Sequence, residues 1–152
     1  MKSSSKGRRQ NRKSKEEILN YSLLLLSKKD YSEFELKRKL LKKFGKSSIE
    51  EVIKELEGKG LLSDERYAEK LIEKYAFSKM YGYFKVESEL LDRGLKKSSF
   101  MDILNRNYTV EKEKENIMKL LDKKSKEKIY PYLINRGFRP HIVQEVLASR
   151  ET

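Results

Sequence analysis

The side chains best equipped for catalysis are scarce in this sequence. His141 is its one histidine, and it has no cysteine, so thiolate nucleophiles, disulfides and cysteine zinc sites are absent together. A serine nucleophile needs a base that is itself oriented by a third group. His141 opens the last helix that the sequence predicts, with no evident partner, and reads as a surface residue at a helix start. A single imidazole builds no zinc site either. The carboxylate pairs Glu50-Glu51 and Asp64-Glu65 are adjacent in the chain, so they point to different faces of a helix. Both fall at helix starts, where acids complement the macrodipole. The seven glycines are dispersed rather than gathered into a phosphate-binding loop. The expectation is a binding protein without catalytic residues, metal or cofactor, whose function lies in its surface.

That surface is positively charged. The 152 residues hold 36 Lys and Arg against 24 Asp and Glu, a formal charge of +12, with 39% charged and 37% hydrophobic residues. The longest apolar run, Leu23 to Leu26, is four residues, far short of the roughly 18 to 20 that span a bilayer. The first fifteen residues lack the apolar stretch of a secretory signal, and a cytoplasmic address is expected. More than half of the excess charge lies in residues 1–15, where Arg8, Arg9, Arg12 and Lys13 are accompanied by Lys2, Lys6 and Lys15 and by no acid. Such a tail buries nothing to offset its ordering entropy, and disorder is expected there. It reads equally as a phosphate-tracking arm or as a solubilising terminus. The remainder is nearly balanced, with a local stripe at Lys37, Arg38, Lys39, Lys42 and Lys43.

The elements that carry these charges are helical. Ile18, Tyr21, Ser22 and Leu25 share a stripe, as do Phe34, Leu36, Leu40 and Leu41, and then Ile49, Val52, Ile53 and Leu56. Ser32 with Glu35, Ser47 with Glu50 and Ser48 with Glu51 have capping-box spacing. Gly45, Gly58 with Gly60, Gly82, Gly94 and Gly137 follow periodic segments, as C-caps do, and Pro140 suits a first helical position. About nine helices result, near 15–28, 33–44, 48–58, 64–80, 83–92, 98–107, 111–123, 125–136 and 140–149. Gly45, Gly94 and Gly137 end similar blocks 49 and 43 residues apart, a period typical of stacked helical modules that complete one another's cores. The fold class expected is all-α, built as tandem three-helix repeats at 16–61, 62–108 and 109–152. Tyr75, Phe77, Tyr81, Tyr83 and Phe84, interleaved with Lys74, Lys79 and Lys85, gather around Gly82. They read as packing between modules or as a stacking surface.

Three stretches together resemble the RecX regulatory family, bacterial modulators of the RecA recombinase. LEGKGLLSDERYAEKL from Leu56 to Leu71 is similar to the family's L…G-L-L-D-D-xx-[FY]-A signature. Lys79 to Gly82, followed by Val86 to Leu95, resembles its G-xx-x-I-xx-E-L-xx-[KR]-G-I block, and Tyr132 to Phe138 its L-xx-R-G-F block. With Ile18 to Leu26 and Ser32 to Leu40, the similarity covers about residues 16–148 and leaves the basic tail outside. Tyr83, Phe84 and Lys85 depart from the small and basic residues often found after that glycine. The resemblance implies an elongated, curved array that lodges along the RecA–single-stranded DNA filament; a monomer is the default expectation. It also implies inhibition of the recombinase, ATPase and co-protease activities of RecA, and so a part in DNA repair, recombination and the SOS response.

The residues expected to touch the filament, single-stranded DNA or duplex DNA are Lys37, Arg38, Lys42, Lys43, Arg93, Lys96, Lys97, Arg136 and Arg139, because they flank helix ends in equivalent places of successive modules. Arg136 has a second reading, as a cap on the C-terminus of its own helix. The alternative function is a helix-turn-helix DNA-binding protein with Ser47 to Leu56 as recognition helix.

Overall fold

The computed structural model describes residues 2–45 and 48–150, and among these every regular element is a helix. They are α1 (Lys2–Lys28), α2 (Glu33–Phe44), α3 (Ile49–Gly58), α4 (Asp64–Ile72), α5 (Tyr83–Asp92), α6 (Lys97–Asn107), α7 (Val110–Leu120), α8 (Ile129–Asn135) and α9 (Pro140–Arg150). A π-helical segment, Glu73–Ser78, continues α4, and a 3-10 turn, Leu121–Lys123, follows α7.

The apolar spacing repeats three times. Ile18, Ser22 and Leu25 on α1, Ala68, Ile72 and Tyr75 from α4 into the π segment, and Glu113, Ile117 and Leu120 on α7 are buried at the same intervals. Leu36 with Leu40, Val86 with Leu90 and Ile129 with Leu133 are buried on the second helix of each set. Each such side chain is worth about 1.5 to 3 kcal/mol relative to exposure. Gly45, Gly94 and Gly137, at the ends of those second helices, all have positive φ. Gly58 and Gly82, expected to share this role, do not. The left-handed residue after α3 is Gly60, while Gly82 serves a close approach described below.

The chain divides into two compact units, residues 1–67 with 93–95, and residues 68–92 with 96–152. The first has a core of Ile18, Leu36, Leu40, Val52, Ile53 and Leu56 with neighbours from α1 to α3. The second has one built on Ile117, Leu133, Phe138, Ile142 and Val143 from α7 to α9.

Helix α1 is anchored by the buried Ile18, Ser22 and Leu25. Two local expectations are corrected. Ser48 precedes α3 without a side-chain cap bond, and Ser47 lies outside the described residues. The single helix expected over 64–80 changes at Glu73 to π geometry, with the Lys79 N–H donating to the Lys74 carbonyl (2.9 Å) and the Tyr81 N–H to the Tyr75 carbonyl (2.9 Å). The wider turn brings the rings of Tyr75 and Tyr81 into a stack 5.9 Å apart and 7° from parallel.

The cap at Ser32 forms as its spacing predicts, and does more. The Ser32 Oγ accepts from the Glu35 N–H (3.0 Å), Glu35 Oε1 accepts from the Ser32 N–H (3.0 Å), and Ser32 Oγ donates to the Arg93 carbonyl (2.5 Å). Ser32→Ala is expected to cost about 2 kcal/mol, since it removes a cap and orphans a carbonyl. The urea midpoint of the full chain, followed by circular dichroism, measures this.

Candidate functional site

The expected contact residues separate by what they do. Three of the arginines hold the fold. In the first unit the guanidinium of Arg93 donates to the Tyr67 hydroxyl (3.0 Å), and its carbonyl accepts the Ser32 bond. Burial, ahead of any charge, pushes the Tyr67 hydroxyl above its usual range. In the second unit Arg136 donates from Nε (3.3 Å) and Nη2 (3.1 Å) to the Met80 carbonyl, and from Nη2 to the Lys79 carbonyl. It therefore caps the end of the π segment, not its own helix. Met80 is left-handed there, with φ 54, a conformation that costs a side-chain-bearing residue about 1 to 2 kcal/mol. The Arg136 bonds help to offset that cost.

Arg139 is tied more firmly. Glu113, on α7, is 0% exposed. Its Oε2 accepts from Arg139 Nε (2.8 Å) and Nη2 (2.7 Å), and its Oε1 from the backbone N–H groups of Arg139 (3.1 Å) and Tyr83 (3.2 Å). Tyr83 begins α5 and Arg139 precedes α9, and the residues before those helices, Gly82 and Arg139, carry no hydroxyl or carboxylate. One carboxylate from a third helix thus meets the orphan donors and positive dipole ends of two others. The Arg139 guanidinium also lies over the Tyr83 ring at 4.2 Å.

Around this clamp, Asn116 Nδ2 donates to the Ala76 carbonyl (2.7 Å) and the Tyr108 hydroxyl (2.9 Å), and that hydroxyl donates to the Tyr81 carbonyl (2.7 Å). Burial drives the Tyr108 hydroxyl far above its usual range, so it stays protonated as a donor. The Gly82 N–H donates to the Arg136 carbonyl (2.9 Å), and the Phe84 N–H to the Gly137 carbonyl (2.9 Å). The aromatic cluster read from the sequence is thus largely packing: Phe77 meets Tyr108 edge-on at 5.6 Å, and Tyr83 is buried. Phe84 is the exception, 52% exposed. Glu113, Asn116 and Tyr108 were absent from the expected residues. The signal for Glu113 and Asn116 was polar side chains occupying places on the apolar stripe of α7, while Tyr108 follows the end of α6.

The remaining candidates face water to different degrees. Lys37 pairs with Glu50, whose hydrogen bond and charge hold the ammonium above its ordinary range. Lys43 lies over the Tyr21 ring at 4.1 Å. Arg38, Lys42, Lys96 and Lys97 are exposed. The exposed face of α3 carries Glu50, Glu51 and Glu57 with Lys54. Partial burial, and then Glu33, Asp64 and Glu65, hold the Glu57 carboxyl above the usual carboxylate range. This concentration of acids repels a DNA backbone. His141 is exposed on α9, and the described residues contain no His, Cys, Asp and Glu cluster able to hold a metal. No helix of the described residues is long and apolar enough to cross a membrane.

The family model "RecX, first three-helix domain" matches residues 19–56. The regulatory protein RecX of Pelodictyon phaeoclathratiforme is 30% identical over 137 residues, which covers 85% of this chain and 86% of that one. That of Actinobacillus pleuropneumoniae serotype 5b is 32% identical over 130 residues, covering 79% and 83%. Among solved structures, the crystal structure of RecX from Lactobacillus salivarius superposes with a TM-score of 0.83 at 21% identity, over 90% of this chain and 96% of that one. That likeness bears on the fold. With relatives matched over most of both chains, the protein belongs to the RecX family of regulatory proteins.

Proposed function

We propose that this chain is a cytoplasmic, non-catalytic regulator that binds the RecA–single-stranded DNA filament and inhibits the recombinase, ATPase and co-protease activities of RecA, and so modulates DNA repair and recombination. The observation that carries this reading is the similarity to RecX regulatory proteins over 85% of the chain. The sequence reads as three helical modules, 16–61, 62–108 and 109–152, and the buried stripe repeated on α1, α4 and α7 supports a stack of binding modules. Arg38, Lys42, Lys96 and Lys97 supply charge to phosphates or to the filament. Arg8, Arg9, Arg12 and Lys13 add a salt-dependent contribution. Arg93, Arg136 and Arg139 act indirectly, by holding the surfaces that bind. Helix-turn-helix recognition of duplex DNA through α3 is disfavoured by the glutamates on its exposed face.

The test is ATP hydrolysis by RecA on single-stranded DNA with increasing amounts of this protein. Falling turnover is expected; unchanged turnover with unchanged filament length by electron microscopy overturns the proposal. Combining Arg38→Glu, Lys96→Glu and Lys97→Glu is expected to weaken filament binding about tenfold at moderate salt and to flatten its salt dependence. Because these side chains are exposed, the variant should keep its helical signal. Inhibition equal to that of the unaltered protein would remove these residues from the interface.

A further inference from the structure

The second unit carries a basic cleft that none of the expected contact residues lines. It is about 490 Å³ in volume, within the range of sites that hold a small ligand or an anchoring side chain. Leu121 and Leu147, both half-buried, and the buried Ile129 give it an aliphatic floor. Lys124, Lys126 and Arg150 form a cationic rim. One acid shares that rim, Asp122, with its side chain 95% exposed and its Oδ1 3.4 Å from the Arg150 guanidinium. The flanking chain adds Lys119, Lys123 and Lys128, all exposed, against Glu127. The floor belongs to the core of this unit, while the rim side chains are exposed, in contrast to Arg136 and Arg139, whose charges are consumed internally.

We propose that this cleft docks an acidic peptide segment of a partner protein, with one apolar side chain seated on the Leu121, Ile129 and Leu147 floor and its flanking carboxylates on the rim. The aliphatic floor decides the apolar part. A nucleobase gains its affinity by stacking on aromatic rings or arginine planes, and no ring lines this cleft among the described residues. Tyr132, which is not among the lining residues, lies beneath the Lys124 ammonium at 5.5 Å. The rim decides the charged part. Arg150 already accepts a carboxylate as partner in Asp122, and an exposed pair at 3.4 Å exchanges readily for a better-placed carboxylate. Two lysines beside it draw further acidic groups and accelerate encounter.

The experiment uses the full chain with no recombinase present, so its outcome is independent of the filament reading. A fluorescein-labelled peptide bearing one phenylalanine between aspartates is titrated with the protein, and its anisotropy is followed. Three companion titrations use the same peptide with glycine in place of phenylalanine, the same peptide with lysines in place of aspartates, and a labelled oligothymidylate. Saturable binding of the acidic peptide is expected, with roughly tenfold loss for the glycine peptide and no binding of the lysine peptide. The double variant Lys124→Glu, Lys126→Glu changes exposed residues and should retain the helical signal, yet bind the acidic peptide about tenfold more weakly. Absence of peptide binding, or equal binding by the double variant, overturns the proposal. Oligothymidylate binding that the double variant loses, with no binding of the peptide, also overturns it and makes the cleft a nucleic-acid surface.

Discussion

Gly82→Ala is expected to destabilise the second unit by about 4 kcal/mol, at the upper end of single-residue effects. A Cβ at this position would lie inside the van der Waals envelope of the Phe138 nitrogen and the Gly137 carbonyl carbon. Both are backbone atoms, so no side-chain rotation relieves the overlap. The two segments are drawn together by the Gly82 N–H bond to the Arg136 carbonyl and the Phe84 N–H bond to the Gly137 carbonyl, each 2.9 Å. Separating them to admit a methyl group breaks both bonds. It also loosens the Arg136 cap on the left-handed Met80. Urea unfolding of the full chain, followed by circular dichroism, measures the loss. Gly58→Ala is the control: nothing lies within 4 Å of an added Cβ there and the residue is helical. That substitution should be neutral or stabilise by about 0.5 to 1 kcal/mol. A Gly82→Ala midpoint close to that of the unaltered chain would show that the approach is looser than described.

The second large effect is expected from Glu113→Ala, at about 3 to 5 kcal/mol. The lost carboxylate leaves the Arg139 guanidinium, 19% exposed, without its counter-charge. The first N–H of α5 and the N–H that precedes α9 lose their acceptor in the same step. Unpaired buried donors cost more than the bonds they made were worth. Adding Arg139→Ala to Glu113→Ala should therefore restore part of the stability, because it removes the stranded charge. A double-mutant cycle by urea unfolding checks this, and strict additivity of the two losses would contradict it. Both substitutions should also lower any inhibition of RecA, through fewer folded molecules rather than through a lost contact. This separates them from the exposed Arg38, Lys96 and Lys97.

That separation was only half legible beforehand. Arg93, Lys96 and Lys97 stand together near the end of α5, and Arg136 and Arg139 near the end of α8, so local spacing placed all of them equally at helix ends. Nothing within one helix turn distinguishes Lys96, which faces water, from Arg136, whose acceptors lie 56 residues earlier at Met80. The same holds for Glu113. Its place on the stripe of Ile117 and Leu120 marked it for burial, while its partners Tyr83 and Arg139 lie 30 and 26 residues away. The basic cleft was missed for the opposite reason: its lysines form a visible charge run, but its floor comes from Leu121, Ile129 and Leu147, which no local window joins.

The sequence by itself determined the all-α class, the succession of helices, the repeated glycines that end them and, through blocks matching at their right spacings, the family. These depend on residues three, four or seven apart along one chain segment, and helical periodicity makes such neighbours touch whatever the rest does. Tertiary structure decided which charges are consumed inside and which stay exposed, and why position 82 must be glycine. Those outcomes depend on donors and acceptors brought together from 26 to 57 residues apart, and desolvation makes such pairing decisive only once the helices have packed.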